Sequence, residues 1–204
     1  MKFFCILITL LSTAVLAETE SKETINYALS KPGEFDIVFH RVDPAGAGAA
    51  AAGLIGAAIQ TSHQNGKDKE KLEEIRPHIT LDSCGDVLFD TFKAKIDKKS
   101  IPAKEITASD SFKKGDLILK IGIDACGFKL TNSVDRLMSS YVLGKMVLKR
   151  KGQKGALIKE RLYLTGKQQF SFEKLLEESD QINTRIEKIL KKAGKRVANK
   201  IIYL

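Results

Sequence analysis

The chain has 204 residues, and 34 Lys and Arg against 25 Asp and Glu give it a formal charge of +9. That length bounds one domain large enough to bury a core without disulfides. The positive balance suits anionic surfaces such as lipid headgroups, cell-wall polymers or nucleic acid. No zinc-ligand spacing and no aromatic, RNP-like strand accompanies it, so no nucleic-acid partner is expected.

The chain opens with Lys2, the apolar run Phe3-Phe4-Cys5-Ile6-Leu7-Ile8-Thr9-Leu10-Leu11 and small residues ending at Val15-Leu16-Ala17, then turns polar at Glu18-Thr19-Glu20. These are the three regions of a secretory signal, with Val15 and Ala17 suited to the −3 and −1 pockets of a signal peptidase. Residues 1–17 are expected to be removed after Ala17, leaving a periplasmic or secreted protein. The apolar run is shorter than the roughly 20 residues that span a bilayer, so no transmembrane span is expected in the mature form. Cys5 lies inside that run and not at the cleavage point, which argues against lipidation. Residues 18–33 read as an amino-terminal extension, and residues 34–204 as a single α/β domain.

From Glu34 to Asp43 apolar and polar residues alternate, with Phe35, Ile37 and Phe39 on one face, and this predicts a first strand. Pro44 stops it. The stretch Ala45–Gln60 carries no charge and is rich in Ala and Gly, and it predicts a small-residue helix packed in the domain, running from about Gly48 towards Ile75 or broken at Gly66. Ser83 with Asp86 three residues on, followed by Leu88, Phe92 and Ile96, predicts a capped helix from Cys84 to Asp97. Ile101–Ala108 contains Pro102 and reads as an edge strand or loop. Leu117, Leu119, Ile121 and Ile123 share one face of a strand over Asp116–Asp124. Two more strands, Ser140–Arg150 and Ala156–Thr165, flank the polar link Lys151–Gly155, which suits a hairpin.

After a cap at Ser171, the apolar positions Phe172, Leu175, Leu176, Ile182, Ile186, Ile189, Leu190, Ala193, Val197 and Ile201 predict a long amphipathic helix. Its opposite side is read as collecting Arg185, Lys188, Lys191, Lys192, Lys195, Arg196 and Lys200, a candidate surface for anionic lipid or cell-wall polymer. The expected fold is therefore α/β: a mixed sheet of about four to five strands with helices packed on it and a long carboxy-terminal amphipathic helix.

That order, with the strand Gly115-Asp116-Leu117-Ile118-Leu119-Lys120-Ile121, a lysine-rich hairpin and a final amphipathic helix, resembles the small α/β envelope domains related to the TolB amino-terminal domain and the curli-secretion lipoproteins. The chain departs from the lipoprotein members in lacking a lipidated Cys. The resemblance implies an assembly or scaffold role without chemistry, and it transfers no functional residue.

Cys84 and Cys126 form an even pair once Cys5 is removed, and in an oxidising compartment they are first a disulfide candidate. Two other readings stand beside it: a reactive Cys84 thiol at a helix amino terminus with His78 nearby, and two unpaired buried thiols. His40, His63 and His78 lack the tight spacing of a zinc site, so no metal ligand is assigned. Glu73-Glu74 and Glu177-Glu178 read as solvated helix faces. No nucleophile elbow, phosphate-binding loop or dinucleotide fingerprint occurs, so no catalytic or cofactor-binding residue is assigned and no cofactor is expected. The expected function is a non-catalytic envelope protein that binds another envelope protein or a second copy of itself. The alternative is an exported enzyme with a site assembled near His78 and Cys84.

Overall fold

The computed structural model describes residues 23–31, 34–38, 70–71, 73–81, 83–107, 110–132 and 136–204. Residues 1–17, expected to be a signal, His40, His63 and the small-residue stretch Ala45–Gln60 lie outside the described residues. In chain order the elements are β1 (Ile25–Lys31), β2 (Glu34–Val38), α1 (Cys84–Lys98), β3 (Ala103–Glu105), β4 (Leu117–Asn132), β5 (Leu137–Arg150), β6 (Ile158–Thr165), α2 (Phe172–Glu177) and α3 (Ile182–Ile202).

The sheet is mixed, with the path β3-β1-β4-β5-β6, and β2 continues the β1 edge by pairing further along β4. β1 runs parallel to β3 and β4, β2 also runs parallel to β4, and α1 precedes β3 in the chain. The β4, β5 and β6 strands are antiparallel neighbours. Two expectations change here. Ile25–Lys31 falls in the stretch read as an extension, yet it lies inside the sheet, with Ile25 and Tyr27 buried against α1. The strand expected to end at Asp124 runs on to Asn132.

A bulge explains the second difference. Ile123 pairs with Gly144 and Ala125 with Leu143, so β4 advances two residues where β5 advances one, and Asp124 is the extra residue. Before the bulge the buried positions are Leu119, Ile121 and Ile123, and after it they are Cys126 and Phe128. One inserted residue shifts the two-residue period, and the odd-numbered face hands over to the even-numbered one without leaving the core.

Both long helices cover this buried face. α1 begins at Ser83, whose hydroxyl accepts a bond from the Gly85 amide at 3.1 Å, and it buries Leu88, Phe89, Phe92 and Ile96. Tyr27 meets Phe89 and Phe92 edge-on, each with ring centroids 5.3 Å apart, a favoured aromatic geometry. The expected single terminal helix is two. Ser171 caps α2 by accepting from the Lys174 amide at 3.2 Å, the helix ends at Glu177, and a 3-10 turn at Ser179–Gln181 leads into α3. α3 then buries Ile182, Ile186, Ile189, Leu190, Ala193, Val197 and Ile201 against α1 and β5.

The two helices cross at Gly194. A Cβ built there would stand 2.4 Å from the Leu88 carbonyl oxygen and 2.9 Å from Thr91 Cβ, so the crossing distance is set by the missing side chain. Alanine would gain about 1 kcal/mol of helix propensity, but overpacking against backbone costs about 1–3 kcal/mol or more. Gly194→Ala is therefore expected to lower the urea midpoint with an unchanged slope. A midpoint at or above that of the parent would show that α1 can move aside freely.

Candidate functional site

The bulge in β4 turns Cys126 towards the first residue of α1. Cys84 and Cys126 are joined by a disulfide, with Cα atoms 6.1 Å apart, and both residues are buried. That Cα separation lies inside the range a disulfide needs. It also leaves Cys84 no thiol for the alternative site. His78 is exposed in a 3-10 turn, and its carbonyl accepts a bond from Asn183 Nδ2 at 2.9 Å. A site built on a Cys84 thiolate and His78 is thus corrected: the sulfur is committed to Cys126, and the neighbouring turn is tied to α3 through its backbone. Among the described residues no group of three metal-ligating side chains occurs.

The cations expected on one outward side of the last helix have separate placements. Lys191 pairs with Glu187 at 2.6 Å, and Arg196 and Lys200 both bind Glu160 on β6, at 2.6 and 3.1 Å. Burial alone would raise the Glu160 carboxyl. Hydrogen bonds from Arg196 and Lys200, and their charges, outweigh it and hold the group below the ordinary carboxylate range. Lys188, Lys192 and Lys195 are exposed. Arg185 is the exception to the expected outward side, because it is only 8% exposed. Its position three residues after Ile182 and four before Ile189 puts it on the edge of the apolar stripe, not on the opposite side.

Around Arg185 the fold forms a pocket of about 270 Å³, half open to solvent, between the start of β5, the segment after β6, and α3. Gly166 makes the first wall possible. Its amide donates to the Ser140 carbonyl at 2.7 Å, and a Cβ there would stand 2.5 Å from Ser140 Oγ. Ser139 Oγ donates to the Gln168 carbonyl at 2.9 Å, and Phe170 and Met138 exchange backbone bonds of 2.8 and 3.1 Å. The segment from Gly166 to Phe170 is thereby fixed along β5 and carries Lys167 to the pocket rim.

The Arg185 guanidinium lies 4.5 Å from the centre of the Phe170 ring, a cation–π distance, and its Nη2 donates to Glu178. Nε and Nη1 are buried and find no acceptor among the described residues. A buried, charged donor without an acceptor costs about 1–3 kcal/mol or more. Lys167, Lys188 and Lys192 also line the pocket, and among the described residues no carboxylate does. Four cations on one small concavity make it chemically suited to an anion.

A second cationic surface lies on the sheet face away from the helices. Lys120, Lys145, Lys149, Lys159 and Arg161 alternate with inward residues of β4, β5 and β6, and Lys145 stands directly opposite Arg161. None of the five has an acidic partner among the described residues. Sequence reading did not bring these together, since they come from three strands. No helix among the described residues is long and apolar enough to cross a membrane.

No family model matches the chain, and no curated protein matches it. Among solved structures, a minor lipoprotein from Acinetobacter baumannii is similar at 12% identity and a TM-score of 0.42, over 58% of this chain and 83% of that one. An uncharacterized protein is similar at 11% identity and a TM-score of 0.36, over 88% of this chain and 90% of that one.

Two stability outcomes follow from these contacts. The bond between Cys84 and Cys126 spans 42 residues, for which the chain-entropy account gives about 4 kcal/mol. Reduction should lower the melting temperature while far-ultraviolet dichroism below the transition stays native. A thiol assay on the denatured, unreduced protein should detect no free Cys84 or Cys126, and one thiol from each would contradict the linkage. Glu160→Gln tests the second contact. A carboxylate held below its unfolded pKa stabilises the fold above that pKa and loses the contribution as pH falls through the folded value. The variant should be less stable than the parent at about pH 7, and the gap should close as pH falls through the lowered pKa of the folded state. A gap that persists in acid would assign it to packing.

Proposed function

We propose that the chain is an exported cell-envelope protein, periplasmic or secreted after loss of residues 1–17, that works by binding another envelope component or a second copy of itself and not by catalysis. The observation that carries this reading is the buried disulfide between Cys84 and Cys126. Such bonds persist in oxidising compartments and are rare where thiols are kept reduced. It agrees with the signal-like pattern that ends at Ala17.

The binding half of the reading is supported by charge. Exposed lysines on α3, and five cations on the sheet face away from the helices that have no acidic partner among the described residues, give two surfaces suited to anionic lipid or cell-wall polymer. The order of elements that resembles TolB-like and curli-secretion envelope domains agrees with an assembly or scaffold role.

Amino-terminal sequencing of the protein recovered from fractionated cells is expected to start at Glu18, with the protein outside the cytoplasm. An intact Met1 on stable cytoplasmic protein would overturn the export reading. Sedimentation with vesicles containing anionic lipid should fall as salt rises, because exposed charges are screened within about 10 Å at 0.1 M. Replacing Lys188, Lys192 and Lys195 by Gln should weaken that binding without unfolding the domain. Unchanged binding would take α3 out of it and leave the sheet face, for which Lys120, Lys145 and Lys149 to Gln is the matching variant.

A further inference from the structure

We propose that the pocket around Arg185 is a specific binding site for a phosphate group. The inference goes beyond the binding reading above, and it does not depend on where the protein resides.

Three independent features of the pocket point to an oxyanion. Arg185 is more than nine-tenths buried, and two of its three guanidinium nitrogens find no acceptor among the described residues. A residue placed only for stability at the edge of an apolar stripe could be a Leu or Met, which would carry no donors to satisfy. Its planar fork is also held in place. Phe170 stacks beneath the guanidinium, and Glu178 fixes the Nη2 end. Arg185 lines the pocket, and a guanidinium held in this way suits a tetrahedral oxyanion, which offers several acceptor oxygens.

The second feature is the charge of the rim. Lys167, Lys188 and Lys192 have no acidic partner among the described residues, whereas Lys191, Arg196 and Lys200 on the same helix do. On α3 the lack of an acidic partner among the described residues holds for Lys188 and Lys192 at the pocket and also for Lys195, which lies outside it. Residues 185, 188 and 192 fall three and four apart and so share one helix face. Three ammonium groups and a guanidinium exceed what one carboxylate can use, and they match a doubly charged phosphate monoester better.

The third feature is the fixed wall opposite the helix. Gly166 and Gln168 are locked to β5 by bonds of 2.7 and 2.9 Å, so Lys167 is presented from a rigid segment. The volume of about 270 Å³ admits a phosphate with a small group attached, and Phe170 and Ile189 supply an apolar flank for that group. A lipid headgroup or a soluble phosphate offers the same chemistry to this site.

The test uses the purified protein with its disulfide intact, titrated with inorganic phosphate and, separately, with a soluble short-chain phosphatidic acid, each followed by amide chemical shifts. Saturable shifts should centre on Gly166, Gln168 and the first two turns of α3. Lys188→Gln with Lys192→Gln, both at exposed positions, should weaken binding by about tenfold or more. Lys195→Gln, outside the pocket, should leave it within about twofold. Arg185→Lys keeps the charge but loses the fork, and it should weaken binding by about tenfold. Should that variant fail to fold, the double lysine variant still decides. Binding of phosphatidic acid alone would assign a lipid headgroup, and equal binding of both would assign the phosphate itself. Absence of saturable shifts with either ligand would overturn the proposal, as would shifts spread over the open sheet face or equal affinity in the double variant. Since no vesicle and no cell fraction enters the titration, its failure is separate from a failure of the export reading.

Discussion

β4 is hydrogen-bonded along both edges, to β1 and β2 on one side and to β5 on the other, and a strand held in this way must keep one face buried over its whole length. A straight two-residue alternation would do so only if the sequence kept its phase. Asp124 breaks the phase, and the bulge absorbs it. Without that one-residue shift, Cys126 and Phe128 would face solvent and Cys84 would have no partner. The seat of α1 on the sheet, and through Gly194 the seat of α3, follow from the same local irregularity.

Once α3 is seated, the position of Arg185 is no longer a matter of choice. The helix that buries Ile182, Ile186 and Ile189 must carry residue 185 inward at the rim. Phe170 meets the guanidinium there because its strand-like pairing with Met138 closes the sheet beyond β6. The cations that stay in solvent divide into two kinds. Arg196 and Lys200 find Glu160, which ties helix to sheet, whereas Lys188 and Lys192, near Lys167, have no acidic partner among the described residues. Mutual repulsion among exposed lysines is weak in water but grows as a pocket is closed to it, so an arriving anion would relieve it.

Much of the fold is legible in the sequence, and the reasons differ by element. The first half of β4 declares itself through Leu117, Leu119, Ile121 and Ile123, and α3 through a long stripe of Ile, Leu, Ala and Val at helical spacing. The second half of β4 is hidden because Asp124 disrupts the alternation on which a sequence reading rests. β1 has a signal in Ile25, Tyr27 and Leu29, but its burial depends on β3 and β4, far along the chain. The break between α2 and α3 carries no Pro or Gly, and residues 178–181 give no strong local cue. For the site, Cys84 and Cys126 are visible as a pair, while their approach needs the bulge. Arg185 can be found as a cation inside an apolar stripe. Ser140, Gly166 and Lys167 cannot, because only tertiary packing brings them to it.

The pairing of Ile25 with Ala103 and Leu117 also orders events in time. Antiparallel β4, β5 and β6 are neighbours along the chain and can zip locally, with α3 following directly to cover them. β1 must wait, since closing so long a loop has an entropic cost that only an already formed β4 edge can repay. On loop-closure grounds the amino-terminal strand is expected to dock after the antiparallel carboxy-terminal half has formed.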